Sequence, residues 1–220
     1  MQVYCYSFRV PRTVDHRERR REITYAVWQV VVKQGFGAVS LRNVAAEASI
    51  SVGRIQHYFP TKDEMVRYSC QALVDQAGEL YEARTADLGP AEALRFLLTH
   101  AVPATETLRT GVTLWYAYLA RSADDPQIAR IVRRAQTVAE EQAVRLLHEA
   151  IPDPDPVAAS QDPLRLARRL LAMADGLALR VLVGQITASE ATELLVSELG
   201  QTGIEAGDGT RPGGVASPRP

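Results

Sequence analysis

The stretch SVGRIQHYFPTK, residues 51–62, gathers the side chains of this sequence best suited to recognition chemistry. Arg54 and Gln56 can each form paired hydrogen bonds to the edge of a nucleotide base. His57, Tyr58 and Lys62 can reach phosphate oxygens, contacts that fix register without reading sequence. Ser51 can cap a helix that starts at Val52, and the amides of such a start favour an anion. Gly53 lets the backbone come close to a partner. Val52 completes the outward set.

Those side chains need a scaffold, and the flanking sequence supplies one. Two short helices, 41–48 and 51–58, are joined by Ser49-Ile50. Ala45, Ala48 and Ile50 are small or apolar where the helices must cross. Val44, Ile55 and Phe59 provide the buried contacts. This is the spacing of a helix-turn-helix, whose second helix fits a major groove about 12 Å wide. Ahead of it, a helix over Arg19–Gln34 places Ile23, Ala26, Val27, Val30 and Val31 on one face. Tyr25, Trp28 and Val32 form a second stripe, so this helix is expected to be covered on two sides. It ends at Gly35. Ser40 caps the second helix, and Thr61-Lys62-Asp63-Glu64 reads as a capping box opening a long helix to about Thr85. Arg17, Arg19, Arg20 and Arg21 crowd the first helix start, where cations oppose the macrodipole. A phosphate partner would compensate; a frayed, solvated end is the alternative.

At this level a family becomes recognisable. AAEASISVGRIQHYFPTKDEM, preceded by KQGFGAVSLRNV, resembles the TetR family of bacterial transcriptional regulators. The detailed likeness covers roughly residues 17–70; beyond it only helix count and order agree. The resemblance implies an all-α dimer of about nine helices, with an N-terminal three-helix DNA-binding domain and a larger effector-binding and dimerising domain. It implies phosphate and base contacts from Ser40 and Arg42. It places Val52, Gly53, Arg54, Gln56 and His57 at recognition-helix contact positions, and makes Tyr58 and Lys62 the phosphate grips. Two positions depart from the pattern. Ser49 stands where the family has glycine, so it must tolerate or avoid a positive φ. Gln56 stands where an aromatic is usual, and it either reads a base or faces water. The I-x-H-Y-F variant resembles the branch that includes choline-responsive regulators.

Charge distribution agrees with an anionic partner at the N-terminal end. The chain's net charge is −1, but residues 1–62 hold ten Lys/Arg against four Asp/Glu, and the rest holds fifteen against twenty-two. Cys5 and Cys70 have neither zinc nor redox spacing, which points to a reduced, cytoplasmic protein. No apolar run approaches the roughly 18 residues of a membrane span, and the N-terminus does not read as a signal peptide. The expected organisation is an extension over 1–15, a helix-turn-helix domain over 16–62, a ligand-binding and dimerisation domain over 63–200, and a disordered tail over 201–220. Pro90, Pro126 and Pro163 mark helix starts. Thr187 and Glu190 make another capping box, and PDPDP at 152–156 is a linker.

Other chemistries find little footing. Gly35-Phe36-Gly37 lacks a preceding strand and a third glycine, so it is not a nucleotide fingerprint. His16, His57, His100 and His148 have no metal-ligand spacing. No nucleophile motif is present, Glu140-Glu141 reads as solvated, and no cofactor or catalytic residue is assigned. In the body, Phe96, His100, Trp115, Tyr118 and Met173 could border an effector pocket or serve as core. For a quaternary amine the rings would act by cation–π attraction. Leu166, Leu170, Met173, Gly176, Leu177 and Gly184, with Leu194 and Leu195, are expected at a homodimer interface, because the helix from 163 is apolar on more than one face. A central core helix is the alternative. The expected function is a repressor that binds a palindromic double-stranded DNA operator as a homodimer and is released by a small molecule. The rivals are a non-specific helix-turn-helix DNA binder without an effector, and an enzyme using the helical body.

Overall fold

The computed structural model describes residues 16–150 and 162–204. The extension over 1–15, the PDPDP linker and the tail from 205 onward lie outside the described residues. All regular structure among the described residues is helical. Nine α-helices follow in order: α1 (His16–Gln34), α2 (Leu41–Glu47), α3 (Val52–Tyr58), α4 (Lys62–Thr85), α5 (Pro90–Thr99), α6 (Glu106–Arg121), α7 (Pro126–Ala150), α8 (Pro163–Leu182) and α9 (Ala188–Gln201). The chain divides into two compact units, Met1–Ala72 and Leu73–Pro220, with the division falling inside α4. No helix among the described residues is long and apolar enough to cross a membrane.

In the first unit α1 packs against α2 and α3. Ile23, Ala26, Val27, Val30 and Val31 are buried, as their spacing predicts. The second stripe is not covered as a whole. Trp28 is buried and donates its indole N–H to the Ser69 carbonyl at 3.1 Å, whereas Tyr25 and Val32 are exposed. Gly35 ends α1 at φ 78°, and Lys33 pairs with Glu47 of α2 at 2.7 Å. Ser49 adopts φ 53°, the only positive φ on a non-glycine among the described residues. The turn thus takes the left-handed conformation despite a cost of roughly 1–2 kcal/mol.

In the second unit α5 packs on α7, α7 on α8, and α8 on α9, while α6 lies against α7 and α8. One core cluster joins Leu94 and Leu98 of α5, Ala143 and Leu147 of α7, Ala167 and Leu170 of α8, and Leu199 of α9. A second holds Val102, Ala174, Leu177, Val181, Ala191 and Leu195. Each fully buried leucine contributes about 1.5–3 kcal/mol. The helix starts are built as the prolines predict. Asp125 Oδ1 accepts from the Gln127 and Ile128 amides at 2.9 and 3.3 Å, and Asp162 Oδ1 accepts from Leu164 at 3.0 Å. Thr187 and Glu190 form the reciprocal capping box, whose hydrogen bonds from the Thr187 backbone and hydroxyl hold the Glu190 carboxyl below its usual range. The expected boundary at 200 falls short of the packed chain. α9 continues to Gln201, and Ile204 is buried in the first cluster.

Two side chains clip α6 to α8. Arg109 Nη2 donates to the Leu182 carbonyl and Tyr116 Oη donates to the Asp175 carbonyl, each at 2.7 Å. Arg109 and Tyr116 on α6, and Asp175 and Leu182 on α8, are each about two helical turns apart, so one face of α6 meets one face of α8. Burial first, and the charge of Asp175 second, push the Tyr116 phenol up to about 12. Tyr116 therefore remains a donor at ordinary pH. Asp175 is exposed as a residue, yet its carboxyl has lost enough surrounding water to be raised above its usual range. An acid raised in the fold favours folding while protonated; that contribution is lost as pH rises from the unfolded value through the folded one. Asp175→Asn should therefore raise the melting temperature near pH 7, with the gain closing below about pH 3.5. Thermal melts at the two pH values decide this, and an equal gain at both would show that ionisation is not the cause.

Candidate nucleic-acid interface

The head builds its exposed face from two seven-residue helices. α2 is capped by the Ser40 hydroxyl, which accepts the Asn43 amide at 3.1 Å, and the Asn43 side chain donates to the Ala38 carbonyl at 2.7 Å. α3 is capped by Ser51, which accepts the Arg54 amide at 3.2 Å. Between them the Ile50 amide donates to the Ala45 carbonyl across the Ser49 turn. Val44, Ile55 and Phe59 have no exposure at all. Their burial forces the other side of α3 outward: Val52, Gly53, Arg54, Gln56 and His57 are all exposed, as are Ser51, Arg42 and Lys62. Ser40 is half-buried by its capping role. A Cβ placed on Gly53 would meet nothing within 4 Å, so the surface there is open backbone.

Tyr58 is half-buried because it is braced from two sides. The ring of His16, at the start of α1, lies 4.8 Å from it, and that of His57 lies 5.0 Å away at a nearly perpendicular angle. Sequence reasoning missed His16, since the contact is tertiary and no local pattern marks it. The basic run also behaves differently from expectation. Arg19 pairs with Glu22 on its own helix. Arg20 turns inward to Glu64, 3.6 Å away, and to the rings of Phe59 and Tyr68. The capping box at Thr61 is accordingly half formed. Thr61 accepts the Glu64 amide at 3.1 Å, but the Glu64 carboxylate faces Arg20.

In the body the expected pocket residues fall into separate places. Phe96 stacks on His100 with centroids 5.5 Å apart and leans against Tyr81 at 6.0 Å. His100 Nδ1 lies 2.9 Å from the Leu97 carbonyl, at the end of α5. Tyr118 is fully buried and Trp115 is half-buried on α6. Met173 packs against the second core cluster, not the one that holds Phe96. An open hollow of about 420 Å³ runs along α9, lined by Ile186, Glu190, Glu193, Leu194 and Ser197. It contains none of the expected pocket residues. Sequence reasoning missed Arg109, Tyr116 and Asp175, although Arg109 and Tyr116 share a helical face.

Four of the residues expected at an interface pack within their own chain. Leu166, Leu170, Leu177 and Leu195 are all at most 9% exposed within the single chain. They belong to the two core clusters of the second unit. Met173 is partly buried beside them, and Gly184 is exposed at φ 77°, where it ends α8. Gly176 and Leu194 do lie on the surface. The most exposed large apolar residues of this region are Leu179 at 46%, Val183 at 69% and Leu194 at 48%, with Leu164 and Val196 less so.

Comparison with known proteins agrees with this geometry. Residues 23–68 match the family described as bacterial regulatory proteins, tetR family, and residues 90–202 match the BetI-type transcriptional repressor, C-terminal. The transcriptional regulator PksA of Bacillus subtilis is 27% identical over 82% of this chain and 87% of its own length. The regulator BetI of Stenotrophomonas maltophilia is 25% identical over 80% and 88%. Among solved structures, a transcriptional regulator of Rhodococcus is similar with a TM-score of 0.71 and 26% identity, over 83% of this chain and 95% of that one. A putative regulator of Saccharomonospora viridis, solved in complex with choline, has a TM-score of 0.74 and 23% identity, over 81% and 94%; at that identity it shows the shared fold. The chain belongs to the TetR family of bacterial regulatory proteins, with the C-terminal domain of its BetI-type transcriptional repressors.

Proposed function

We propose that two copies of this chain grip a palindromic DNA operator, one α3 in each of two major grooves, and that a small organic cation releases them. The observation that carries the reading is the exposed face of α3, where Arg54, Gln56 and His57 stand beside the open backbone of Gly53 on a helix anchored by Ile55 and Phe59. Arg54 and Gln56 are suited to base edges and Val52 to a thymine methyl. Ser40, Arg42, Ser51, Tyr58 and Lys62 flank them as phosphate contacts. The reading assigns the chain no catalytic activity and places it in the cytoplasm.

The second copy is assigned to the outer face of α8 and α9. Ala172, Gly176, Leu179 and Val183 are exposed at spacings of four, three and four, a single stripe on α8, with Leu194 exposed on α9. Such a stripe covered by its own symmetry mate makes a closed dimer. This replaces the interface leucines expected from sequence by their outward neighbours. Glutamate at a 69% exposed valine costs a monomer little but buries a charge in the dimer. Val183→Glu should therefore sediment as a monomer at micromolar concentration while keeping its helix content; an intact dimer would move the interface elsewhere.

For the effector, the choline bound by the similar Saccharomonospora regulator and the rings of Phe96 and Trp115, both half-buried, support a quaternary ammonium compound held by cation–π attraction. His100, stacked on Phe96, joins the candidate lining, whereas Met173 lies against the other core cluster and Tyr118 has no exposed surface. Calorimetric titration with choline should show saturable binding that weakens several-fold in Trp115→Ala; equal binding by the variant would take Trp115 out of the lining.

The DNA reading is tested by selecting bound sequences from random duplexes. A single palindrome should emerge, with affinity falling steeply as salt rises; sequence-indifferent binding would sink the proposal. On that operator Arg54→Ala should cost about 1–3 kcal/mol and relax one base position, while Lys62→Ala should weaken all sequences alike and reduce the salt slope by about 1. Gln56→Ala with an unchanged preference would place Gln56 in water.

A further inference from the structure

Arg20 belongs to the basic run at the start of α1, where a phosphate contact is the natural assignment. Its surroundings say otherwise. The guanidinium carbon lies 4.6 Å from the centre of the Phe59 ring and 4.1 Å from that of Tyr68. The two rings are themselves 5.3 Å apart. One Nη is 3.6 Å from Glu64 Oε1, and the side chain is 24% exposed. Its Nε is buried without a hydrogen-bond partner. A guanidinium with two rings and a carboxylate against it has little surface to offer a phosphate.

The residues it touches define the far end of the recognition helix. Phe59 closes α3, its amide donating to the Ile55 carbonyl at 2.8 Å, and has no exposure. Glu64 and Tyr68 stand one turn apart on α4. We propose that Arg20 is a positioning residue for DNA recognition: its planar cation, seated against Phe59 and Tyr68 and paired with Glu64, fixes α3 relative to α1 and α4. This inference rests on the reading that α3 enters the DNA groove. Planarity is what the role demands. Lysine keeps the charge but presents a compact ammonium that cannot lie flat on aromatic faces.

The two roles give opposite results in one experiment on the full chain, using the selected operator and a scrambled duplex across a range of salt. A phosphate contact survives Arg20→Lys, and Arg20→Gln lowers the salt slope by about 0.9. A positioning residue leaves the slope unchanged in both variants and lowers the ratio of operator to scrambled affinity by about tenfold or more. A loss of stability alone lowers the melting point and the active fraction, but not that ratio in the fraction still folded. Tyr68→Leu provides a second route should Arg20 variants fold poorly, because it removes one ring and leaves the Arg20 charge in place. It should lower the ratio in the same way, whereas a phosphate contact predicts no change. An unchanged ratio in the folded Lys and Leu variants, or a reduced slope in Gln, overturns the assignment. A wild-type protein without preference for any duplex overturns the DNA reading and this inference with it.

Discussion

A helix of seven residues does not hold together alone in water, since nucleation is costly and isolated helices shorter than about 12–15 residues are marginal. α2 and α3 each have seven. Everything the head displays therefore depends on what holds them: a serine cap at each start, the left-handed turn at Ser49, and the complete burial of Val44, Ile55 and Phe59. The same burial decides which side chains face out. Arg54, Gln56 and His57 are exposed because Ile55 and Phe59 are not, and the outer face of α3 is in this sense the reverse side of a small core.

The body uses one long helix differently on each of its faces. α8 gives Leu166, Leu170, Ala174, Leu177 and Val181 to the interior of its own chain, and lies against α6 through carbonyls that accept from Arg109 and Tyr116. What remains outward is a stripe of Ala172, Gly176 and Leu179 beside the charged Arg165, Arg168, Arg169 and Arg180. A helix apolar on several faces is thus accounted for in part by packing within its own chain.

Local features were the legible part of this protein in its sequence. Caps and prolines announced nearly every helix start, because their effect is exerted within one turn. The family likeness carried the head, and it also flagged Ser49, whose φ of 53° bears out the departure. Angular assignments fared less well. The leucines of α8 expected at an interface lie roughly a quarter to a half of a turn away from those left exposed, a distinction no composition or spacing can make when both faces are apolar. Contacts between elements were invisible. The placing of His16 against Tyr58, of Arg20 against Phe59, and of Tyr116 on α8 requires knowing which helices meet. Aromatic content alone could not say that Phe96 and Met173 join different clusters.

The chain has two tryptophans, and they fall one to each compact unit. Trp28 is 7% exposed with its indole N–H engaged by Ser69, while Trp115 is half-buried on α6. Burial of this kind should set the emission of Trp28 to the blue of that of Trp115. A single unlabelled sample thus carries an optical reporter in each unit. Whether head and body melt as one cooperative block or as two is readable from the wavelength at which the spectrum first begins to move.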